Sequence, residues 1–313
     1  MKLIDADTLA HTLPYDALAD AIDRAFAGGV SVPVRAHHNI PVDEGQDSTL
    51  LLMPAWSDDG FVGVKTVIVA PENAGKGLPA VQATYQLFDR ETGQPLALLD
   101  GPELTARRTA AASALAARYL APKNASKLLM IGTGVLGHHL PLAHAAVRPI
   151  AEVRVWGRNP ENAEKSAAAL RAAGLAAEMT EDLMGSVAWA DIVSTATLSK
   201  EPIIDGEWLR PGQHVDLVGA FRPDMREADD TVLKRARIFC DTRAGAMKEA
   251  GDLCDPLSRG IISEGDVEAD LFDLAGGSFE FERQADDITL FKSAGTAIED
   301  LAAAMLAYRH EAG

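Results

Sequence analysis

Three glycines in "LLMIGTGVLGHH" carry the plainest chemical signal in the chain: Gly132, Gly134 and Gly137, in GxGxxG spacing, follow an apolar run and precede a helical pattern. In that context the first glycine permits a tight turn, the second lets a pyrophosphate approach the backbone, and the third allows close helix–strand packing. The helix N-terminus adds N–H donors and partial positive charge. The motif therefore predicts a dinucleotide site. About 20 residues on, an NAD site places an Asp or Glu against the ribose. The sequence there reads Gly157-Arg158-Asn159, with no acid. An arginine suits a 2′-phosphate, so NADP(H) is favoured and NAD(H) admitted. The bland alternative is a solvent-facing Arg158 with a relaxed preference.

A second group of residues could hold an anion or move a proton. In "GFVGVKTVIVA", Lys65 shares a strand face with Phe61, Gly63 and Val67. It reads either as an edge-strand gatekeeper or as an amine aimed into a pocket. In "ELTARRTAAASALAARYL", Arg108 lies on the stripe of Leu104, Ala111, Leu115 and Tyr119, while Arg107 points elsewhere. An arginine on an apolar face must find an anion, because an unpaired buried charge is costly. That anion is either a structural carboxylate or the carboxylate of a substrate clamped in bidentate fashion. Arg35 in "SVPVRAHHN" is a candidate of the same type. In "VDLVGAFRPDMREADD", a buried strand runs through Gly219 and Ala220 into Phe221, an aromatic ring at a strand end.

The elements that must position these groups follow from periodicity. "YDALADAIDRAFAGG" is helical and closes on a glycine pair. Strand-like segments follow, ending in two apolar runs around "DRETGQ" that read as a hairpin. A long helix over "ELTARRTAAASALAARYLA" stops at Pro122. From "KLLMIG" onward, through "EVRVWG", "DIVSTAT", "HVDLVGA" and "RIFCD", strands alternate with helices, the signature of a doubly wound parallel sheet. Pro141 should kink the helix after the glycine loop, and His138 and His139 read as helix-surface residues. Residues 248–287 hold twelve acids against three bases and read as solvated helix and loop. "DITLFKSAGTAIEDLAAAMLAYRH" is a final strand-to-helix unit.

Length and composition bound the rest. At 313 residues there is room for two domains. Hydrophobic residues at 47% against 24% charged describe a globular protein rather than a disordered one. A net charge of −17 argues against nucleic acid and an anionic membrane as partners, so an anionic cofactor must be held locally. Cys240 and Cys254 show no metal-ligand spacing and read as thiols in a reducing cytoplasm. No metal is expected. The sequence as it stands shows neither a signal-peptide pattern nor an apolar run of about 18 residues.

Taken in order, "LMPAW", "GVKTVIVAPENAGKGLP", "LFDRETGQPLALLDG", "LTARRTAAASALAARYLA", "IGTGVLG", "VWGRNPENAEK", "IVSTAT", "GAFRPDMREAD" and "TLFKSAGTAIEDLA" make the chain resemble the ornithine cyclodeaminase/mu-crystallin family nearly end to end. The resemblance implies an α+β substrate-binding and dimerisation domain at 1–122 and 290–313, a Rossmann-type domain at 123–289, and a homodimer. It matches Arg35, Met53, Lys65, Arg108 and Phe221 to the substrate, with Lys65 catalytic. It matches Arg108, Gly132, Gly134, Val135, Leu136, Gly137, Arg158, Asn159, Thr195, Ala196, Thr197, Val218, Gly219, Lys292 and Ser293 to the dinucleotide. Cyclodeaminases of this family place Gly-Gly-Asp at the strand end, where the aspartate is acid and base. Here Gly219-Ala220-Phe221 stands instead, and a phenyl ring transfers no proton. "RPDMRE" resembles the ketimine and pyrroline-2-carboxylate reductase branch, which implies NAD(P)H-dependent reduction of a small cyclic imino acid such as 1-pyrroline-2-carboxylate. Ornithine cyclodeamination, alanine dehydrogenation and non-catalytic ligand binding are the alternatives.

Overall fold

Strand alternation gives the first part of the chain a seven-stranded sheet: β1 (Lys2–Ile4), β2 (Val30–Ser31), β3 (Ala36–Ile40), β4 (Ser48–Ser57), β5 (Phe61–Val69), β6 (Val81–Asp89) and β7 (Pro95–Asp100). The order is β1-β7-β6-β5-β4-β2, with β3 also on β4, and only β1–β7 is parallel. This computed structural model describes residues 1–33, 35–43 and 45–312. Contacts divide it into two units, Met1–Arg108 with Ala297–Gly313, and Thr109–Thr296.

In the first unit β5 lies between β4 and β6, so Lys65 is not an edge-strand residue; of the two readings left open by its spacing, the gatekeeper fails. Register places Met53, Lys65, Tyr85, Leu99 and Ile4 in one row across five strands, all on the buried face. The helices Tyr15–Ala27 and Ala297–Ala312 pack against each other, and the latter covers β4, β5 and β6. Gly63 stands two residues from Lys65 on that face. A Cβ there would fall 1.9 Å from the Tyr85 hydroxyl oxygen, so the Tyr85 ring lies flat across a position that only glycine leaves open.

The second unit holds β8 (Lys127–Ile131), β9 (Glu152–Trp156), β10 (Ala177–Met179), β11 (Ile192–Thr195), β12 (His214–Leu217), β13 (Arg237–Cys240), β14 (Val267–Asp270) and β15 (Thr289–Lys292). All eight are parallel in the order β10-β9-β8-β11-β12-β15-β13-β14. Near-continuous burial of these short strands is what a parallel sheet covered on both faces requires. Asp216, at the middle of β12, accepts from Ser113 (2.9 Å) and Ser194 (2.7 Å) and meets His144 Nε2 at 3.1 Å. Burial works to raise its pKa, but the His144 and Ser194 contacts outweigh that and hold it below the usual carboxylate value.

Several expectations are corrected. By contacts the chain divides at Arg108/Thr109 and Thr296/Ala297, where the sequence reading drew the bounds at 122 and 290. The reason is that β15 is a central strand, paired with β12 and β13, so its residues belong to the second sheet. Residues 248–287 are not merely a solvated surface: they contribute β14, and Asp252 and Asp270 are buried. His139 is buried rather than on the helix surface. Both cysteines are free.

Gly63→Ala should destabilise the protein by about 1–3 kcal/mol through overpacking against Tyr85, read as a lower denaturation midpoint. Adding Tyr85→Phe, which removes the nearest atom, should recover part of the loss.

Candidate functional site

The first unit contains a buried cluster of four charges. Lys65 Nζ lies 2.9 and 2.8 Å from the two carboxylate oxygens of Asp300. Arg108 Nε is 2.9 Å from Asp300 Oδ1, and Arg108 Nη1 donates to Glu299 Oε2 at 2.5 Å. None of the four is more than 5% exposed. Two cations and two anions balance, which is the condition for keeping ionised groups out of water. Burial pulls the Lys65 ammonium down to about 8, with Asp300 resisting and Arg108 adding to the fall. Burial works to raise Asp300, but the charges of Lys65 and Arg108 hold it below its ordinary value. The Tyr85 phenol, paired across the strands with Lys65, is raised well above its usual value by burial and stays neutral.

Spacing put Lys65 on a strand face and Arg108 on an apolar helical stripe, and the resemblance added Met53, but none of these pointed to Glu299 or Asp300. Arg107 does point elsewhere: it bonds Glu103 and the Leu13 carbonyl and lies over the Tyr15 ring. Arg35 is half-buried immediately before β3, one step beyond the pair Ala36–Leu52 and so level with Met53.

In the second unit, the glycine loop leads from β8 into the helix Val135–Val147. Gly132 adopts φ +121°, and a Cβ there would lie 2.5 Å from the Ala196 carbonyl oxygen. A Cβ on Gly137 would lie 2.4 Å from the Gly132 carbonyl oxygen, so the third glycine sets the helix close to the turn. Gly134 has nothing within 4 Å of its Cβ position, and as the N-cap it leaves the helix without a side-chain cap. Open space beside uncapped N–H groups is what a pyrophosphate needs, so the residues fit a dinucleotide. A cleft of about 310 Å³ opens there, at the switch point where β8 meets β11. Its walls include Gly132, Gly134, Arg158, Asn159 and Thr197, and none of the described residues that line it is acidic. Arg158 is exposed, whereas the Asn159 side chain caps the helix Pro160–Ala172. Val135 is exposed and Leu136 half-buried in the first turn.

Behind the cleft, the ends of β11, β12 and β15 are tied by a buried network. Glu227 Oε1 accepts from the Thr197 backbone N–H (2.7 Å) and hydroxyl (2.8 Å). A Cβ on Gly219 would lie 2.4 Å from that same oxygen, so only glycine fits. Lys292, expected among the dinucleotide contacts, is fully buried. It bonds the Gly219 carbonyl and Asp252 Oδ2 (3.1 Å), so it acts through the backbone of the strand end. Ser293 is likewise buried and donates its backbone N–H to the Leu217 carbonyl. Thr195 and Val218 are buried, and Ala196 is half-buried. Ala220 (φ +48°) is the only non-glycine with positive φ among the described residues, and it turns Phe221 outward to 48% exposure. Burial pushes the Glu227 carboxyl up to about 7, Lys292 opposing and Asp252 assisting. Glu227 and Asp252 carried no sequence signal beyond their place in acid-rich stretches.

A parallel Rossmann-type unit with a glycine-turn cleft, joined in one chain to a sheet carrying a buried lysine, defines a dinucleotide-fold protein of two units. The chain belongs to the ornithine cyclodeaminase/mu-crystallin family, which it matches over residues 4–312. It is 36% identical to a Delta(1)-pyrroline-2-carboxylate reductase of Colwellia psychrerythraea, covering 97% of both chains. It is also 36% identical to the ketimine reductase mu-crystallin of Rattus norvegicus, over 94% of this chain and 90% of that one. Among solved structures, the Delta(1)-pyrroline-2-carboxylate reductase of Thermococcus litoralis in complex with NADH and L-proline superposes with a TM-score of 0.91 at 35% identity, covering 99% and 97% of the two chains.

A carboxyl whose folded pKa exceeds its unfolded value holds its proton more tightly when folded. The stability linked to Glu227 is therefore complete below 4.5 and is lost as pH rises to about 7. Glu227→Gln cannot ionise, so its stability relative to the parent should increase from the acid to the alkaline side of that window, read by denaturant unfolding.

Proposed function

We propose that the protein is an NAD(P)H-dependent reductase of small cyclic imino acids, converting a 1-pyrroline-2-carboxylate-type ketimine to an L-proline-type amino acid. The observation that carries the reading is Lys65, a buried ammonium brought down to about 8 and so able to give up a proton near neutrality. The names of the relatives, and the NADH and L-proline bound in the Thermococcus litoralis structure, support it.

The dinucleotide, when bound, supplies the hydride to the imine carbon. The chain's part is to bind, orient and protonate. Arg108, with Arg35, pairs with the substrate carboxylate and fixes the ring, which turns a bimolecular encounter into a positioned one. Lys65 donates a proton to the imine nitrogen as the carbon accepts hydride. Met53, in the row of Lys65, supplies an apolar wall. Gly132, Gly134 and Gly137, with the N–H groups of Val135 and Leu136, would hold the pyrophosphate, and Thr195, Ala196, Thr197, Val218 and Gly219 would supply further dinucleotide contacts. Arg158, with no acid beside it, favours the 2′-phosphate of NADP(H). Only hydride and proton addition are needed, so Phe221 in place of an aspartate is compatible with this chemistry. A homodimer accompanies the reading. Its support is the half-exposed outer face of the first sheet, where Leu52, Pro54, Trp56, Val62, Val64 and Phe88 form an apolar surface. No helix among the described residues is long and apolar enough to cross a membrane; a cytoplasmic location is part of the proposal.

Incubation with 1-pyrroline-2-carboxylate should consume NADPH, and NADH less efficiently, with proline as product. Lys65→Ala should lower kcat/KM by about 10²–10⁴-fold. Arg158→Ala should cut the NADPH preference by roughly tenfold or more, the value of a lost charged hydrogen bond. No turnover with this imine, its six-membered homologue, or pyruvate plus ammonia would overturn the reading. Sedimentation should give a dimer that Trp56→Glu dissociates, and a monomeric parent would refute the assembly.

A further inference from the structure

Asp300 touches both cations of the buried cluster, Lys65 through both of its oxygens and Arg108 through one. It sits in the first turn of the helix Ala297–Ala312, while Lys65 is on β5 and Arg108 is on the helix Gly101–Leu120. One carboxylate thus fixes the amine that must face the imine and the guanidinium assigned to the substrate carboxylate.

We propose that Asp300 is the positioning residue for proton delivery: it holds the Lys65 ammonium in place and keeps it charged until the imine nitrogen takes the proton. The inference rests on the reading of Lys65 as proton donor. In the step itself, hydride forms the new C–H bond at the imine carbon and the C=N π electrons pass to nitrogen. Nitrogen then takes a proton from Lys65 Nζ, which is left as a neutral amine and regains its proton from solvent. Asp300 stays ionised throughout, since both neighbouring cations hold its proton affinity down.

The groups facing Lys65 identify Asp300 as the lever. Burial works against the ammonium, Asp300 is the largest opposing influence, Arg108 lowers the amine further, and Glu299 raises it least. Tyr85 on β6 stays neutral, and Met53 on β4 does not titrate. Without the Asp300 charge, burial and Arg108 would both drive Lys65 to its neutral form, and a neutral amine has no proton to deliver.

The direct test is an NMR titration of isotope-labelled lysine side chains, with Lys65 assigned by its loss in Lys65→Arg. In Asp300→Asn, which keeps the size but loses the charge and one acceptor oxygen, Lys65 should lose its proton at a pH lower by roughly one unit or more. The alkaline limb of kcat/KM for imine reduction should move with it, and activity should return on acidification. A merely structural role would lower activity at every pH and leave the limb where it was. An unchanged Lys65 midpoint in Asp300→Asn overturns the inference, whatever the turnover. If Asp300→Asn does not fold, Arg108→Gln removes the cation that competes for Asp300, and Lys65 should then titrate at higher pH; no shift overturns the inference. A parent that shows the Lys65 titration but reduces no imine refutes the functional reading and leaves the Asp300–Lys65 coupling intact.

Discussion

Lys65 and Asp300 meet 2.8 Å apart with both side chains out of water, and a charge pair so placed constrains everything around it. Taking such ions out of water costs several kcal/mol each, and well-packed apolar residues of similar volume often serve stability as well or better. Removing one partner alone costs about 3–5 kcal/mol. A pair of this kind is therefore weak as a stability device and strong as a chemical one, because it holds an amine at a proton affinity that solution does not give. The rest of the first unit follows from it. The C-terminal helix must return to the sheet to bring Asp300. Arg108 and Glu299 must balance the charge, and Gly63 must stay bare so that the Tyr85 ring can close the row.

The second unit solves the opposite problem, holding an anion on a protein of net charge −17. The overall field cannot attract a dinucleotide, so attraction has to come from short range. The structure provides an uncapped helix N-terminus, a bare Gly134, an exposed Arg158 and a cleft with no acid among the described residues that line it. The Glu227–Asp252–Lys292 network lies behind that cleft. It fixes where β11 and β12 end, and so where the backbone of Thr197 and Gly219 stands.

What was legible in the sequence was what is local. The glycine loop spans six residues, and the structure gives Gly132 and Gly137 separate steric reasons while leaving the Gly134 position open. Alternation placed Lys65 on a face, and helical spacing separated Arg108 from Arg107. Spacing could not choose between edge and interior for Lys65, because that depends on β4 and β6 flanking β5. The partners of Lys65 were invisible for a plainer reason: Asp300 lies 235 residues away. In sequence, Glu299 and Asp300 read as acids in a helix first turn, where they complement the dipole. The missed signal was that the rest of "AIEDLAAAMLA" is apolar all round, which is how a fully buried helix reads. The place of β15 was equally out of reach, since "TLFK" fits the end of the sheet as well as its middle. Lys292 was matched to the dinucleotide by resemblance alone, and its spacing carried no sign that the Gly219 carbonyl and Asp252 hold it inside.

The central claim, hydride addition to an imine carbon with a proton from Lys65, has one direct measurement. NADPH carrying deuterium on the transferable face of its nicotinamide is supplied with 1-pyrroline-2-carboxylate, and the product is read by NMR and mass spectrometry. The account predicts proline with one deuterium at Cα for each dinucleotide oxidised. Proline without label at Cα, or no proline from this imine, would contradict it.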